Sequence, residues 1–403
     1  MARILLLSND VIGSAVAGPG LRYIELAAAL SKNHEVFLAA KSGLKINGNK
    51  FNILNTPFLL EINLGIKIKI PNPSLIKELD KFDFVIAQEG VLIALGFPKI
   101  RGKLILDLYC PAFLENLEAA RYRQKGFDRK ALASFKHAID HANFVLCANE
   151  KQRDFYTALL LETRLFNFNA YAKDPSLRSL IDVVPVGISS SPPIHTIKAL
   201  KGALPGIAVT DKVVIWWGGI WEWLDPETTI RAMAMASKVR KDLRLVFFGI
   251  KHPNLPLTVR AQKAVTLSKE LGLYNKSVFF IQQWVPYNER ADYLLESDIG
   301  IISHRQTLET HFSWRTRVLD YFWADLPAIT SAGDSMAELI KANQLGKIVP
   351  PGNPDELAQA IIELLENKDE YREIKENIKR FKPSLYWENV IAPLELFISQ
   401  QQS

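Results

Sequence analysis

The sequence predicts an α/β protein of two domains, each built on a parallel β-sheet covered by helices on both faces. The chain has 403 residues, too many for one ordinary core, so two domains of about 180 to 200 residues each are expected. Short apolar runs alternate with helical patterns in both halves, which is typical of parallel sheets buried on both faces. The Pro-, Gly- and Ser-rich segment DVVPVGISSSPP lies between the halves and sets the boundary near Pro185 to Pro193.

In the first half, GLRYIELAAALSKN has helical periodicity, and the predicted strands are RILLLSND, HEVFLAA, FDFVIAQE, KLILDLY and NFVLCAN. The second half repeats the scheme with the strands KVVIWWGG, LRLVFFG, SVFFIQQ, IGIIS and PAITS. Its predicted helices are DPETTIRAMAMASKVR, a helix starting near Trp314, and PDELAQAIIELLENK. In open sheets of this kind ligands bind beyond the carboxyl ends of the strands, so the cleft between the two domains is the expected site.

The net charge of +6 comes entirely from the first half. Residues 1–186 contain 24 Lys and Arg against 18 Asp and Glu, a balance of +6, and the remaining 25 and 25 cancel. Peripheral contact with an anionic membrane surface is one explanation, and a solvated basic face is the other. Nucleic acid is not expected as a partner, because no nucleic-acid-binding module is visible.

The sequence predicts a cytoplasmic protein without cofactors. The chain has no uncharged apolar stretch of 18 residues, and its start turns polar too quickly for a signal peptide. Cys110 and Cys147 lie in strand-like contexts with no metal-binding spacing. There is also no Asp-x-Asp or His-Glu-x-x-His motif, so we expect no metal ion.

Two loops of the first half are candidate ligand contacts. Gly18 and Gly20 lie between the first strand and its helix, where backbone N–H groups can approach an anion; a structural tight turn is the alternative. Asp107 ends the strand KLILD, with Glu115 beyond it. Asp107 is therefore a candidate to orient or deprotonate an acceptor hydroxyl, or to cap the next turn.

In the second half, Gly218 and Gly219 follow the strand KVVIW and free the backbone for phosphate contact. Trp221 and Trp223 supply flat faces for a sugar or base, although such aromatic clusters are more often core.

The segment ETHFSWRTRVLDYF carries the strongest signal. With Ser313 as N-cap, Arg315 and Arg317 fall near the positive end of a helix, where cations are disfavoured unless an anion such as a diphosphate lies between them. Asp320, one turn further on, would accept hydrogen bonds from ribose hydroxyls. The alternative is two ion pairs, Arg317 with Asp320 and Arg315 with Glu309.

These motifs together resemble GT-B glycosyltransferases of family 4, the group 1 set. The resemblance runs through GPGLRYIELAAAL, DVVPVGI, VVIWWGG, LRLVFFG, RVLDYFWADLPAIT and GKIVPPGNPDELAQAI, and ETHFSWRTR is similar to the pattern of one subgroup. It implies a GT-B fold with two Rossmann-like domains, 1–186 on the acceptor side and 187–383 on the donor side. Residues 384–403 resemble the family's terminal helix, which crosses back to the N-terminal domain.

The resemblance also implies roles for residues. Asp320 aligns with the second glutamate of the family's Glu-x7-Glu pair, and Glu309 is the nearest substitute for the first, in contact with sugar hydroxyls. The cations that usually follow the first strand of the donor domain are missing, so Arg315 and Arg317 are expected to replace them, assisted by Lys251 and His252. Asp107 occupies the place of the family's N-domain histidine.

The function implied is transfer of a sugar from a nucleotide sugar to an unidentified acceptor, independent of metal and with retention of configuration. A sugar-nucleotide epimerase or glycosidic phosphorylase on the same fold is one alternative. A catalytically inactive nucleotide-sugar-binding scaffold is another.

Overall fold

The computed structural model describes residues 1–10, 12–13, 16–41, 50–63, 67–123, 129–251 and 256–402. Its strands are β1 Arg3–Ser8, β2 Glu35–Ala40, β3 Asn52–Ile53, β4 Leu59–Asn63, β5 Lys67–Pro71, β6 Phe84–Ala87, β7 Lys103–Asp107, β8 Phe144–Cys147, β9 Ile181–Val183, β10 Lys212–Trp216, β11 Leu243–Phe248, β12 Val278–Ile281, β13 Ile299–Ile302, β14 Ala328–Ser331 and β15 Gly346–Val349. Its helices are α1 Gly18–Leu30, α2 Pro73–Leu79, α3 Glu89–Ala94, α4 Ala112–Arg123, α5 Arg129–His141, α6 Glu150–Leu160, α7 Phe168–Lys173, α8 Pro226–Val239, α9 Val259–Glu270, α10 Arg290–Leu295, α11 Leu308–Phe312, α12 Arg317–Trp323, α13 Ser335–Asn343, α14 Pro354–Glu366, α15 Lys368–Phe381, α16 Trp387–Val390 and α17 Ala392–Gln402.

The chain forms two compact units, and both are discontinuous in sequence. The first consists of Met1–Ala112, Phe127–Gly187 and Trp387–Ser403. The second consists of Phe113–Gly126 and Ile188–Tyr386. Most of helix α4 therefore packs with the second unit, although it follows a strand of the first.

The first unit is built on a seven-stranded sheet in the order β3-β2-β1-β6-β7-β8-β9, with all neighbours parallel. The strand order reverses between β1 and β6, where Leu5 pairs with Val85. Helix α17 closes one face of the sheet, since the ring of Phe397 stacks on Phe144 at 4.2 Å between centroids. Leu394 and Ile398 of the same helix are fully buried in this core.

The second unit is built on a six-stranded parallel sheet in the order β12-β11-β10-β13-β14-β15. Its strand order reverses between β10 and β13. Helix α8 begins at Pro226 and is capped by Asp225, whose carboxylate accepts a hydrogen bond from the backbone N–H of Thr228. The apolar residues of the central strands β10, β11 and β13 are buried, as their continuous apolar sequences require.

The α/β class with two parallel sheets, predicted from the sequence, is confirmed. The short strands β3, β9 and β15 and the antiparallel hairpin of β4 and β5 were not predicted. Within the described ranges, none of the helices combines the length and the apolar character needed to cross a lipid bilayer.

Candidate functional site

The carboxyl ends of β10 and β13 form the point in the second unit where the strand order reverses, which is where open α/β sheets bind ligands. Residues 217–219 follow β10, and Ser303 and His304 follow β13. Helix α12 lies beside the same two strands, because the hydroxyl of Tyr321 is 3.2 Å from the carbonyl oxygen of Ile215 and 3.0 Å from that of Ile301.

A glycine in β13 allows α12 to approach this closely. A Cβ atom at Gly300 would lie 2.4 Å from the ring of Tyr321, closer than any van der Waals contact. The tyrosine hydroxyl also accepts a hydrogen bond from the backbone N–H of Trp217, 3.1 Å away. Tyr321 thus fixes α12 and the loop after β10 to each other.

The helix begins later than the sequence predicted. Helix α12 starts at Arg317, after Thr316, which makes no side-chain capping bond. Ser313 is not its N-cap; it ends the preceding helix α11, and its hydroxyl donates to the backbone carbonyl of Glu309 at 2.8 Å. The two arginines therefore lie on different backbone: Arg315 is in the link between α11 and α12, outside regular secondary structure, and Arg317 is the first helical residue.

Arg317 points at the glycine loop after β10. Its Nη2 donates to the carbonyl oxygen of Gly219 at 2.9 Å, and Nη1 lies 3.5 Å from that of Gly218. Burial and, to a smaller extent, the charge of Arg315 lower the pKa of its guanidinium to about 10 against the opposing effect of Tyr321, and no carboxylate is among the causes of the shift. Within the described residues, Arg317 is thus a partly buried cation held by carbonyl groups rather than by an ion pair.

Arg315 is in the opposite situation. Its Nη1 and Nη2 each lie 2.9 Å from a carboxylate oxygen of Glu309, and its Nε is 3.4 Å from Asp334. Burial opposes the charge, but the two carboxylates overcome this and raise the pKa of Arg315 above its ordinary value. For Arg315, the structure thus shows the ion pair with Glu309 that the sequence offered as the alternative to diphosphate binding.

Asp334 joins this buried network to the end of β13. Its carboxylate is 3.2 Å from Nε2 of His304, and it caps α13 by accepting from the backbone N–H of Ala337 at 2.7 Å. Burial opposes ionisation, but the hydrogen bond and charge of His304 and the charge of Arg315 hold the pKa of Asp334 below its ordinary value. The network fixes the chain around Arg315, and the carboxylates of Glu309 and Asp334 balance the positive charge of Arg315.

Asp320 does not pair with Arg317. Its Oδ1 accepts from Nε of Arg290 at 3.0 Å, and the guanidinium of Arg290 lies between the rings of Tyr287 and Trp323, at 3.5 and 3.9 Å from their centroids. Burial raises the pKa of Asp320, although Arg290 opposes the shift. Asp320 is therefore held in place beside the site.

The loop after β10 contains a glycine with a positive φ and a stacked pair of tryptophans. Gly218 has φ of 92°, a conformation that favours glycine. The rings of Trp221 and Trp223 are stacked, 5.8 Å apart and nearly parallel. Beside them Gly219, Thr258 and Trp284 line a shallow pocket at the ends of β10, β11 and β12.

The candidates in the first unit lie at the carboxyl end of its own sheet. Gly18 is the first residue of α1, and its N-cap Ala17 has no side-chain group that could make a capping hydrogen bond. The backbone N–H of Gly20 donates to Oδ2 of Asp10 at 3.3 Å. Asp107 is fully buried in a two-point ion pair with Arg22, at 2.8 and 2.9 Å. Arg22 also donates to the carbonyl of Val184 at 2.9 Å, so Asp107 holds α1 against the sheet.

Three other candidates complete the comparison. Lys251 is exposed in the loop after β11, and His252 lies outside the described residues. Glu115 lies on α4 in the second unit, where its charge helps to raise the pKa of Arg315. Among the described residues, no group of three or more His, Cys, Asp or Glu side chains could hold a metal ion.

His304, Asp334 and Arg290 also belong to the site and were not predicted from the sequence. His304 and Asp334 follow strands β13 and β14, so their positions in IISH and TSAGD were an available signal. Arg290 had no such signal, because it lies on the short helix α10 and reaches Asp320 across 30 residues of sequence.

Comparison with known proteins is consistent with this architecture. Residues 204–381, which contain the loop after β10 and both arginines, match the family described as Glycosyl transferases group 1. No curated protein sequence matches the chain.

Solved structures match over the whole length. HepE from Anabaena in complex with UDP-glucose has a TM-score of 0.69 at 15% identity and covers 100% of both chains. Sucrose-phosphate synthase from Thermosynechococcus elongatus has a TM-score of 0.64 at 15% identity, covering 100% of this chain and 99% of that one. WaaG, a glycosyltransferase involved in lipopolysaccharide biosynthesis, has a TM-score of 0.63 at 15% identity and covers 98% of each chain. The chain has the GT-B fold of glycosyltransferases.

Proposed function

We propose that this protein is a glycosyltransferase that moves a sugar from a nucleotide-sugar donor to an acceptor, without a metal ion and with retention of configuration. The donor binds the second unit, at the carboxyl ends of β10 and β13. One observation carries the proposal: within the described residues, Arg317 is a partly buried cation held by two carbonyl oxygens and the ring of Trp216 rather than by a carboxylate, and it is directed at the glycine loop after β10.

A partly buried cation without a carboxylate partner destabilises the folded protein unless an anion binds it. Burial disfavours the guanidinium charge, and the neighbouring Arg315 repels it. A diphosphate supplies the missing negative charge, and guanidinium groups bind phosphate oxygens through two parallel hydrogen bonds. In this proposal the backbone N–H groups of Gly218 and Gly219 also donate to the phosphate oxygens.

The chemical role of Arg317 follows from where charge develops. When the bond between sugar and diphosphate breaks, negative charge grows on the departing nucleoside diphosphate. A cation already in place stabilises that charge without reorganisation, which is the largest contribution such a site makes. In this proposal Arg317 stabilises the diphosphate leaving group, a role that a divalent ion can fill in metal-dependent sites.

The other residues of the site are assigned to positioning. Arg315 and Glu309 neutralise each other and fix the link before α12. Asp320 is turned toward Arg290, and in this proposal it accepts a ribose hydroxyl through its remaining oxygen capacity. In the first unit, Asp107 keeps Arg22 and α1 in place and does not deprotonate the acceptor.

Two comparisons support the donor class. The family match over residues 204–381 covers every residue assigned to the donor. HepE, a structural neighbour, has been solved with UDP-glucose. UDP is therefore the first nucleotide to test.

The test is a titration with UDP, GDP and ADP followed by thermal unfolding, with EDTA present, and then a donor-hydrolysis assay. The proposal expects one nucleotide to stabilise the protein and its sugar conjugate to be hydrolysed slowly, both unaffected by EDTA. Binding without turnover favours an inactive scaffold. Sugar release that requires inorganic phosphate and no nucleotide favours a phosphorylase. Conversion of one nucleotide sugar into another favours an epimerase.

A further inference from the structure

The hairpin of β4 and β5 separates apolar from charged side chains. Its register pairs Leu60 with Ile70 and Ile62 with Ile68, so these four residues share one face. Glu61 pairs with Lys69 on the opposite face. The hairpin is a two-stranded sheet of its own, since neither strand pairs with the seven-stranded sheet among the described residues.

The aliphatic face is open to solvent although the hairpin is firmly attached. Leu60 is 38% exposed, Ile62 38% and Ile68 45%. At the base, Phe58 and Asn72 are buried, and the backbone N–H of Asn72 donates to the carbonyl of Phe58 at 2.9 Å. A two-stranded hairpin is marginal in water by itself, and leaving aliphatic side chains in water makes it less favourable.

The charged face carries more positive than negative charge. Nζ of Lys67 lies 3.0 Å from Glu61, but both side chains are largely exposed, so the pair contributes little. Lys69 is exposed as well. The hairpin therefore resembles an interfacial amphipathic element, with aliphatic groups on one face and lysines on the other, in the half of the chain that holds the whole excess of +6.

We propose that the β4–β5 hairpin docks the first unit on an anionic lipid surface. Leu60, Ile62 and Ile68 enter the boundary between headgroups and acyl chains, and Lys67 and Lys69 contact lipid phosphates. The basic charge of this half of the chain complements an anionic surface. A second copy of this chain is a poorer fit, because three side chains cover far less than the roughly 800 Å² per partner of a stable interface, and lysines discourage pairing of strand edges.

The experiment measures co-sedimentation of the full chain with vesicles of phosphatidylglycerol and phosphatidylcholine in equal parts, and with phosphatidylcholine alone. The wild type should bind the mixed vesicles and bind phosphatidylcholine weakly. The double variant Ile62→Ser with Ile68→Ser should lose at least tenfold in vesicle affinity, because each aliphatic group removed from the boundary weakens binding. Lys67→Ser with Lys69→Ser should lose about fivefold per lysine at low salt.

The matched control is Val209→Ser with Val239→Ser, which removes two exposed aliphatic side chains of the second unit and should bind as the wild type does. Circular dichroism and the unfolding midpoint check that each variant is folded. Wild-type binding by the isoleucine variant, equal binding to both vesicle types, or a dimer in sedimentation that the isoleucine variant dissociates would overturn the proposal. The inference is independent of the proposed function, since it uses no donor and no turnover.

Discussion

Replacing Arg317 by methionine should remove most of the turnover and yet make the unliganded protein more stable. Burial lowers the pKa of Arg317 from its ordinary value to about 10, so the folded state disfavours its charged form. At about 1.4 kcal/mol per pKa unit, the charge costs about 3 kcal/mol at pH 7, where it is present in both folded and unfolded states. Two hydrogen bonds to the carbonyls of Gly218 and Gly219 offset about 1 kcal/mol or more. Arg317→Met should therefore stabilise by about 1 to 2 kcal/mol.

The matched variant is Arg315→Met, two residues away. It removes the partner of Glu309 and leaves Asp334 with less compensation in a buried network. Breaking a buried pair from one side costs about 3 to 5 kcal/mol, because the remaining charge is uncompensated. Both substitutions replace an arginine by a methionine, but Arg317→Met should raise the free energy of unfolding and Arg315→Met should lower it.

Urea unfolding at pH 7, with and without the nucleotide that binds, measures both changes, and donor hydrolysis measures turnover. Arg317→Met should reduce turnover by about 100-fold, the range for loss of one transition-state donor, and should abolish stabilisation by nucleotide. If Arg317→Met is folded, turns over at the wild-type rate and is still stabilised by nucleotide, the assignment of the diphosphate to Arg317 is refuted. If Arg315→Met is as stable as the wild type, the buried network has been misjudged.

Three further variants test the scaffold. Asp107→Asn should destabilise the protein by about 3 to 5 kcal/mol in urea, because it leaves the buried charge of Arg22 unpaired, and a loss below about 1 kcal/mol would contradict this. Gly300→Ala should disrupt the second unit, since its Cβ would lie 2.4 Å from the ring of Tyr321; unchanged nucleotide binding and unfolding would show that α12 can move away. Asp334→Asn should be less stable than the wild type at pH 7. Folding lowers the pKa of Asp334, so its carboxylate stabilises the folded state above pH 3.8, its ordinary pKa, and this stabilisation is lost as the pH falls through the lower pKa of the folded state. Unfolding at pH 7 and at acid pH should therefore show that the stability difference between the wild type and Asp334→Asn shrinks in acid.

The fold was predictable because its central strands are buried on both faces. The apolar runs VVIW in β10 and LVFF in β11 are continuous because their residues are buried on both faces of the sheet. The β4–β5 hairpin was not predictable by the same rule. Its strands alternate aliphatic and charged residues and, in the part of the chain that the structure describes, pair with each other and not with the large sheet, and β3 has just two residues.

The site was predictable in place and only partly in detail. The glycine loop after β10 and the arginine segment were identified because both follow strands of a recognisable pattern. The separate environments of Arg315 and Arg317 were not predicted, because the helix was expected to begin near Trp314, whereas residues 313–316 precede α12, which begins at Arg317. The partner of Asp320 is set by α10, and the second carboxylate beside Arg315 comes from the residue before α13; neither long-range contact leaves a local pattern.

The discontinuous first unit has a consequence for synthesis on the ribosome. Trp387, Leu394 and Phe397 belong to the same core as Phe84 and Phe144, far earlier in the chain. Until residues 387–402 have emerged, this core, which α1 also lines, lacks its C-terminal side chains, while the second unit is already complete in sequence. The unit that is translated first is thus the last able to finish folding, and a nascent chain stalled before Trp387 should be a target for chaperones.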